Sequence, residues 1–213
     1  MDAFKNANGK PVLLGMVKAI QENKVLLGDI DGLIGDGDHG MNMNKGFTVF
    51  EQRNSDQEFT FTEGLDRLGT ILLTEIGGSM GPIYGTFLME MADAAADQEI
   101  ITLSDFAKML EAGLEGLYGI VDARVGDKTL VDTLSPATNA IKSAAAAGKS
   151  FETALSEMKA AAESGKESTK NLVAKFGRSS RLGERSRGVL DAGATSCCII
   201  ISAMADGITQ ILI

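Results

Sequence analysis

The sequence predicts an all-α fold: a single domain over residues 1–213, built as an antiparallel bundle of eight helices of similar length. Three observations carry this. Apolar residues recur at three- and four-residue steps in one segment after another. The joints between these segments are short and rich in glycine and polar residues. No strand–helix–strand alternation is present, and neither G-x-G-x-x-G nor G-x-x-x-x-G-K-[ST] occurs, which disfavours a Rossmann or P-loop core.

The helices follow in order. Pro11 stands near the start of the first, whose face carries Leu13, Met16, Val17, Ile20 and Leu27. The second runs from about Gly40 to Gln52 with Met43, Phe47 and Phe50 on one side. Thr62 is the expected cap of the third, which carries Leu65, Leu68, Leu72 and Ile76 and stops at Gly77-Gly78. The fourth begins near Pro82 and presents Tyr84, Phe87, Leu88 and Met91. Thr102 with Asp105 forms a variant capping box ahead of Phe106, Leu110, Leu114 and Leu117. Ser135-Pro136 reads as a cap and first-turn proline for the sixth helix, ending at Gly148. Ser150 caps the seventh, with Phe151, Leu155, Met158, Ala162 and Leu172 along it. The eighth follows Gly193 and holds Cys197, Ile200 and Met204, although Cys-Cys-Ile-Ile-Ile is also compatible with a buried strand.

At 44% apolar and 23% charged, the 213-residue chain is large enough for a core without staples. That core must be aliphatic and Met-rich, because Trp is absent and aromatics make up only 5%. A net charge of -9 argues against nucleic-acid or anionic-membrane binding. The N-terminus lacks an apolar signal core, and the apolar run Ala194 to Ala205 is too short to span a bilayer. Cys197 and Cys198 have no basic neighbour and are expected to be buried reduced thiols. The expected location is the cytoplasm.

The chemistry concentrates between Gly28 and Phe47. Asp29, Asp31, Asp36 and Asp38 alternate with glycines, and the sole histidine, His39, follows directly. Asp31, Asp36 and Asp38 are too irregularly spaced for one helix face, so their convergence requires a loop. Carboxylates held together need a cation or open water, and hard oxygen ligands suit magnesium, manganese or calcium. A solvated acidic turn is the plain alternative. An EF-hand is disfavoured, because no glutamate stands at the twelfth position.

Three further stretches share this glycine-rich, polar character. Gly77 to Gly85 leads into a helix and can offer free N–H groups to phosphate, or serve only as a tight turn. Gly126 to Asp132 contains Lys128, read as a solvated turn residue or a phosphate neutraliser. Gly177 to Ser196 holds four of the chain's seven arginines, whose forks match phosphate oxygens. Within it, Gly177 to Gly188 has glycines that permit movement and arginines with few acids nearby in sequence, so this part is expected to act as a lid with unpaired arginines at rest, a surface partner patch being the alternative. Alternate junctions of an up-and-down array open at one end, so the four stretches can share a site. There is no Ser-His-Asp set and no zinc set. Metal ligands, phosphate-binding backbone and arginines without an activated nucleophile fit phosphoryl transfer. Lys45 and Lys128 fall in polar settings, so neither is expected to serve as a covalent substrate anchor.

In order along the chain, Ile34-Gly35-Asp36-Gly37-Asp38-His39-Gly40, Gly77-Gly78 with Gly81-Pro82, Gly126-Asp127-Lys128-Thr129, and Gly177-Arg178 through Asp191 with Gly193-Ala194-Thr195-Ser196 resemble the nucleotide-binding L subunits of dihydroxyacetone kinase. The resemblance implies an eight-helix antiparallel barrel binding ADP or ATP through two magnesium ions. It makes Asp31, Asp36 and Asp38 the metal ligands. It places His39, Gly40, Met41 and Asn42 on the phosphates, with Ser79, Met80, Gly126, Arg178, Asp191, Ala192 and Gly193 around the nucleotide and Arg178 as the catalytic residue. Met80 stands where a small hydroxyl residue is common, and Ala192 where proline is common.

The same resemblance implies a separate K subunit that holds the ketone covalently, so that this chain alone is inactive. It also implies a phosphohistidine subunit of the phosphotransferase system that recharges bound ADP. Free exchange of ATP, another small ketose such as erythrulose, a homodimer, and a non-catalytic regulatory module remain open. The nucleotide domain of fatty acid kinase is disfavoured, because threonine usually follows its second aspartate where this chain has His39.

Overall fold

The computed structural model describes residues 2–213. Among them are eight α-helices: α1 (Lys10–Ile34), α2 (His39–Asn54), α3 (Phe61–Glu75), α4 (Met80–Asp93), α5 (Leu103–Ile120), α6 (Val131–Ala146), α7 (Phe151–Ser168) and α8 (Ala192–Thr209). Each packs on its neighbours in sequence, and α8 closes the ring against α1, giving the antiparallel barrel. Two three-residue strands, β1 (Ala3–Lys5) and β2 (Ile100–Thr102), pair antiparallel with Phe4 opposite Ile101. Phe4, Phe47, Phe61, Phe87, Phe106 and Phe151 are fully buried, and buried methionines from α1, α2, α4, α5, α7 and α8 fill the space between them. Each such side chain contributes about 1.5–3 kcal/mol. Cys197 and Cys198 are buried free thiols, as their setting implied.

Two helix starts and one helix end depart from expectation. Thr60, not Thr62, caps α3: its Oγ1 accepts from Glu63 N at 3.2 Å, and Glu63 Oε2 accepts from Thr60 N at 2.8 Å. Thr62 is instead buried against Asn6, which accepts from Thr62 N at 3.1 Å. Helix α6 begins at Val131, ahead of Ser135-Pro136, so Pro136 lies inside it. The earlier start follows from Asp132, whose carboxylate accepts from Gly126 N at 2.6 Å and Thr129 N at 2.7 Å and so organises the preceding turn. Helix α7 stops at Ser168, leaving Leu172 beyond it.

The final segment is a helix and not a strand. Asp191 caps it, accepting from Ala194 N at 2.7 Å, and α1, α6 and α7 surround it. At 18 residues it is longer than the apolar run suggested, and its composition would suit a membrane span. Its contacts with α1, α6 and α7, and the 61% burial of that window, account for the apolarity by core packing.

Candidate functional site

The four connections α1–α2, α3–α4, α5–α6 and α7–α8 meet at one end of the barrel around a cavity of about 630 Å³. The acidic stretch is more helical than its glycines suggested. Asp29 to Ile34 complete α1, His39 to Asn44 begin α2, and only residues 35–38 form the joint. Gly37 turns the chain with φ 78°. Gly40 lets α2 approach α1, since a Cβ there would lie 1.9 Å from Lys24 O.

Asp31 therefore projects from the last turn of α1, while Asp36 and Asp38 come from the joint. Their carboxylate oxygens lie within 4.8 Å of one another, Asp31 half-buried and the other two exposed. Like charges at about 4 Å repel by about 1 kcal/mol in water and about 4 kcal/mol at a protein surface. Three hard oxygen donors converging on one point therefore fit a divalent cation.

Arg178 forms an ion pair with Asp36. This corrects the expectation that the arginines of the α7–α8 connection are unpaired, as does Arg187, which pairs with Glu184 at 3.0 Å. The Arg178–Ser186 segment winds into 3-10 turns kinked at Gly183. Buried Ser186 anchors it, accepting from Ala174 N at 2.9 Å and donating to Gly183 O at 2.7 Å.

Of the residues singled out in the sequence, Asp31, Asp36, Asp38, His39, Asn42, Ser79, Met80, Arg178, Asp191, Ala192 and Gly193 line the cavity. Gly40, Met41 and Gly126 do not: Met41 is 60% exposed beside it. Helices α2 and α4 begin here without a side-chain cap. The apolar part of the lining includes Ile83, Val121, Leu130 and Phe176; the sequence marks Val121 only as part of the fifth helix's apolar face and gives no pattern for the other three.

Electrostatics at the floor are set by burial. It pushes the His39 imidazole down to about 4, against the upward pull of Asp31. Burial also lifts the Asp191 carboxyl to about 6, opposed by the Ala194 hydrogen bond and Lys128. Lys128 is neither solvated nor free for a phosphate. It is 1% exposed with φ 62°, and its Nζ donates to Thr169 O at 2.5 Å and to Val189 O. Burial lowers its pKa, while Asp191 and Asp132 oppose that. With its ammonium committed to two carbonyls, it ties the α5–α6 turn to the α7–α8 connection.

An eight-helix barrel with a carboxylate trio and open helix starts at its mouth defines a class of protein able to hold a metal-complexed anion. A DAK2 domain is matched over residues 33–206, and the chain belongs to that family. It is 38% identical over 186 residues to the PEP-dependent dihydroxyacetone kinase 1, ADP-binding subunit DhaL, of Listeria innocua, covering 87% of this chain and 88% of that one. The corresponding ADP-binding subunit DhaL of Escherichia coli is 35% identical over 187 residues, covering 86% and 88%. The dihydroxyacetone kinase of C. freundii, solved with AMP-PNP and Mg2+, shares the fold with a TM-score of 0.69 at 20% identity, over 94% of this chain and 33% of that one.

Proposed function

We propose that this chain is the nucleotide-binding, phosphoryl-transferring subunit of a dihydroxyacetone kinase. The observation that carries the reading is the meeting, in one cavity, of Asp31, Asp36 and Asp38 with the uncapped starts of α2 and α4. Phosphates and carboxylates repel each other unless cations lie between them, and helix starts favour anions. Asp31, Asp36 and Asp38 would hold two magnesium ions, which neutralise charge on the transferring phosphoryl group. The α2 and α4 starts would receive phosphate oxygens, and the apolar lining at Ile83, Val121 and Phe176 suits a base. The relatives named as ADP-binding subunits support this assignment.

Arg178 is the catalytic residue of this reading. Once cations satisfy Asp36, the guanidinium is released to contact the phosphoryl oxygens. The sugar hydroxyl oxygen forms the new P–O bond, the bond to the bridging oxygen breaks, and ADP leaves with that electron pair. The hydroxyl proton leaves on the partner's side. The ketose is held by a separate K subunit, because His39 is committed beside the carboxylate trio and Lys128 is spent on carbonyls, leaving no anchor in the cavity for so small a ligand. ADP stays bound and is recharged by a phosphohistidine subunit. The experiment is a turnover assay with dihydroxyacetone, Mg2+, ATP and a phosphorylated phosphohistidine subunit to recharge bound ADP, with and without a K-type subunit. Turnover is expected only with the partner; rates of several per second, typical of kinases, from this chain alone would place the sugar site within it.

A further inference from the structure

Beneath the cavity, three side chains form a buried hydrogen-bonded relay that the reaction outlined above does not use. His39 Nε2 lies 2.8 Å from Ser196 Oγ. Ser196 Oγ lies 2.6 Å from the Tyr84 hydroxyl, which lies 3.1 Å from Gly193 O. The relay joins the first residue of α2 to α4 and α8. His39, Tyr84 and Ser196 are 8%, 2% and 0% exposed.

The relay ends on a backbone carbonyl, which can only accept, and this gives it a direction. Tyr84 donates to Gly193 O, the Tyr84 oxygen accepts from Ser196, and the Ser196 oxygen accepts from His39 Nε2–H. Each of the three contacts then holds one proton. Running the relay the other way leaves the tyrosine–carbonyl contact without a donor. A neutral imidazole carries one ring proton, so Nδ1 holds a lone pair. Among the described residues, the buried side-chain polar atom without a partner is Thr138 Oγ1. His39 Nδ1, which makes no hydrogen bond, is therefore not fully enclosed, and His39 lines the cavity.

We propose that Ser196 and Tyr84 are positioning residues that hold the His39 proton on Nε2 and present an unprotonated Nδ1 to the cavity as a hydrogen-bond acceptor. A phosphate oxygen, itself an acceptor, is the wrong partner for that lone pair. A water coordinated to a hard divalent cation is the right one, because such cations keep several waters and polarise their protons. The identity of that donor rests on the metal–nucleotide reading; the tautomer does not. Any phosphate contact at His39 then comes from the backbone of the α2 start and not from the imidazole. Hydrogen bonds behind a metal site that fix a histidine's tautomer typically tune metal affinity by about 10- to 100-fold.

His39 is the sole histidine, so histidine labelled with nitrogen-15 reports one ring in the full-length chain. The NMR spectrum is recorded at about pH 8, above the ordinary imidazole value of about 6.5. The expected result without ligand is a proton on Nε2 that exchanges slowly with solvent. S196A should abolish the slow exchange. Y84F should weaken it less, since Ser196 can still donate directly to Gly193 O at 3.2 Å. Binding of Mn2+–ADP, followed by EPR on the same samples, should fall about 10-fold in S196A and recover in S196T, which restores the hydroxyl. A wild-type proton on Nδ1 overturns the proposal, as does S196A with unchanged ring resonances and exchange. The wild-type tautomer needs no variant, so a misfolded S196A leaves the test intact. If wild type shows the Nε2 proton yet binds no Mn2+–ADP, the functional reading fails and the relay stands; binding with the proton on Nδ1 gives the reverse.

Discussion

The two ends of the barrel differ in how most of their helices start. At the end carrying the β1–β2 ladder, Thr60, Thr102 and Ser150 cap α3, α5 and α7 with side-chain oxygens. Phe4 stacks edge-on against Phe61 at 5.3 Å, and Asn6 donates to Gln98 O at 2.8 Å. At the other end, α2 and α4 start without side-chain caps, next to a trio of carboxylates. At the first end three of the four helix starts are satisfied by side chains, with α1 beginning uncapped at Gly9. The other end leaves the α2 and α4 starts without side-chain caps and its carboxylates only partly relieved, by Arg178 on Asp36 and by the His39 N–H on Asp31 at 3.4 Å, although Asp191 caps α8; a ligand can supply the partners still missing. The difference separates the end that holds the fold from the end proposed to bind the nucleotide.

The largest expected effect breaks the site end by sterics. Gly40→Ala places a Cβ 1.9 Å from the backbone oxygen of Lys24. The α1–α2 joint must open, at a cost of about 3 kcal/mol, and thermal denaturation should show it. Next, Asp36→Asn keeps the shape and removes one charge of the trio. ADP affinity in Mg2+ should fall about 100-fold, or about 2.7 kcal/mol, by calorimetry, with the melting temperature of the ligand-free chain unchanged or raised. Unchanged ADP affinity, insensitive to EDTA, would contradict the metal assignment.

The opposite end should give the opposite pattern. Thr102→Ala removes a capping box whose oxygen accepts from Asp105 N at 3.3 Å. Stability should fall by about 1 kcal/mol with ADP affinity intact. The smallest effect is a pH dependence at the floor of the cavity. Native Asp191 keeps its proton up to about pH 6, whereas the unfolded chain releases it near 3.9. The native state then binds the extra proton, so this group's contribution to stability falls as pH rises from about 4 to about 6. Asp191→Asn should remove that component from the profile of denaturation against pH.

Much of this division was legible in the sequence, and the failures are specific. Helical periodicity located all eight helices, because a barrel wall buries one face of each and the stripe is written into the chain. The aspartate–glycine run marked the metal-ligand candidates for the same reason: few folds tolerate that many acids close together. Thr62 was taken for Thr60 because two threonines flank Phe61, and only Asn6, distant in sequence, decides which one turns inward. Pro136 pointed to a helix start because Asp132's role in the turn is invisible locally. Lys128 reads as a polar loop residue, and its burial depends on carbonyls 41 and 61 residues away. The Arg178–Asp36 pair and the Tyr84–Ser196–His39 relay are likewise long-range; helix periodicity marks Tyr84 as core but says nothing of where its hydroxyl goes.

Hydrogen exchange at both ends, with and without Mg2+–ADP, tests the central claim most directly. Ligand should slow exchange at the open amides of the first turns of α2 and α4, residues 39–41 and 80–81, and across 177–188. The first turns of α3, α5 and α7 should be unaffected, because their caps already occupy those amides. Equal protection at both ends, or none at α2 and α4, would contradict the assignment of the glycine-rich end as the nucleotide site.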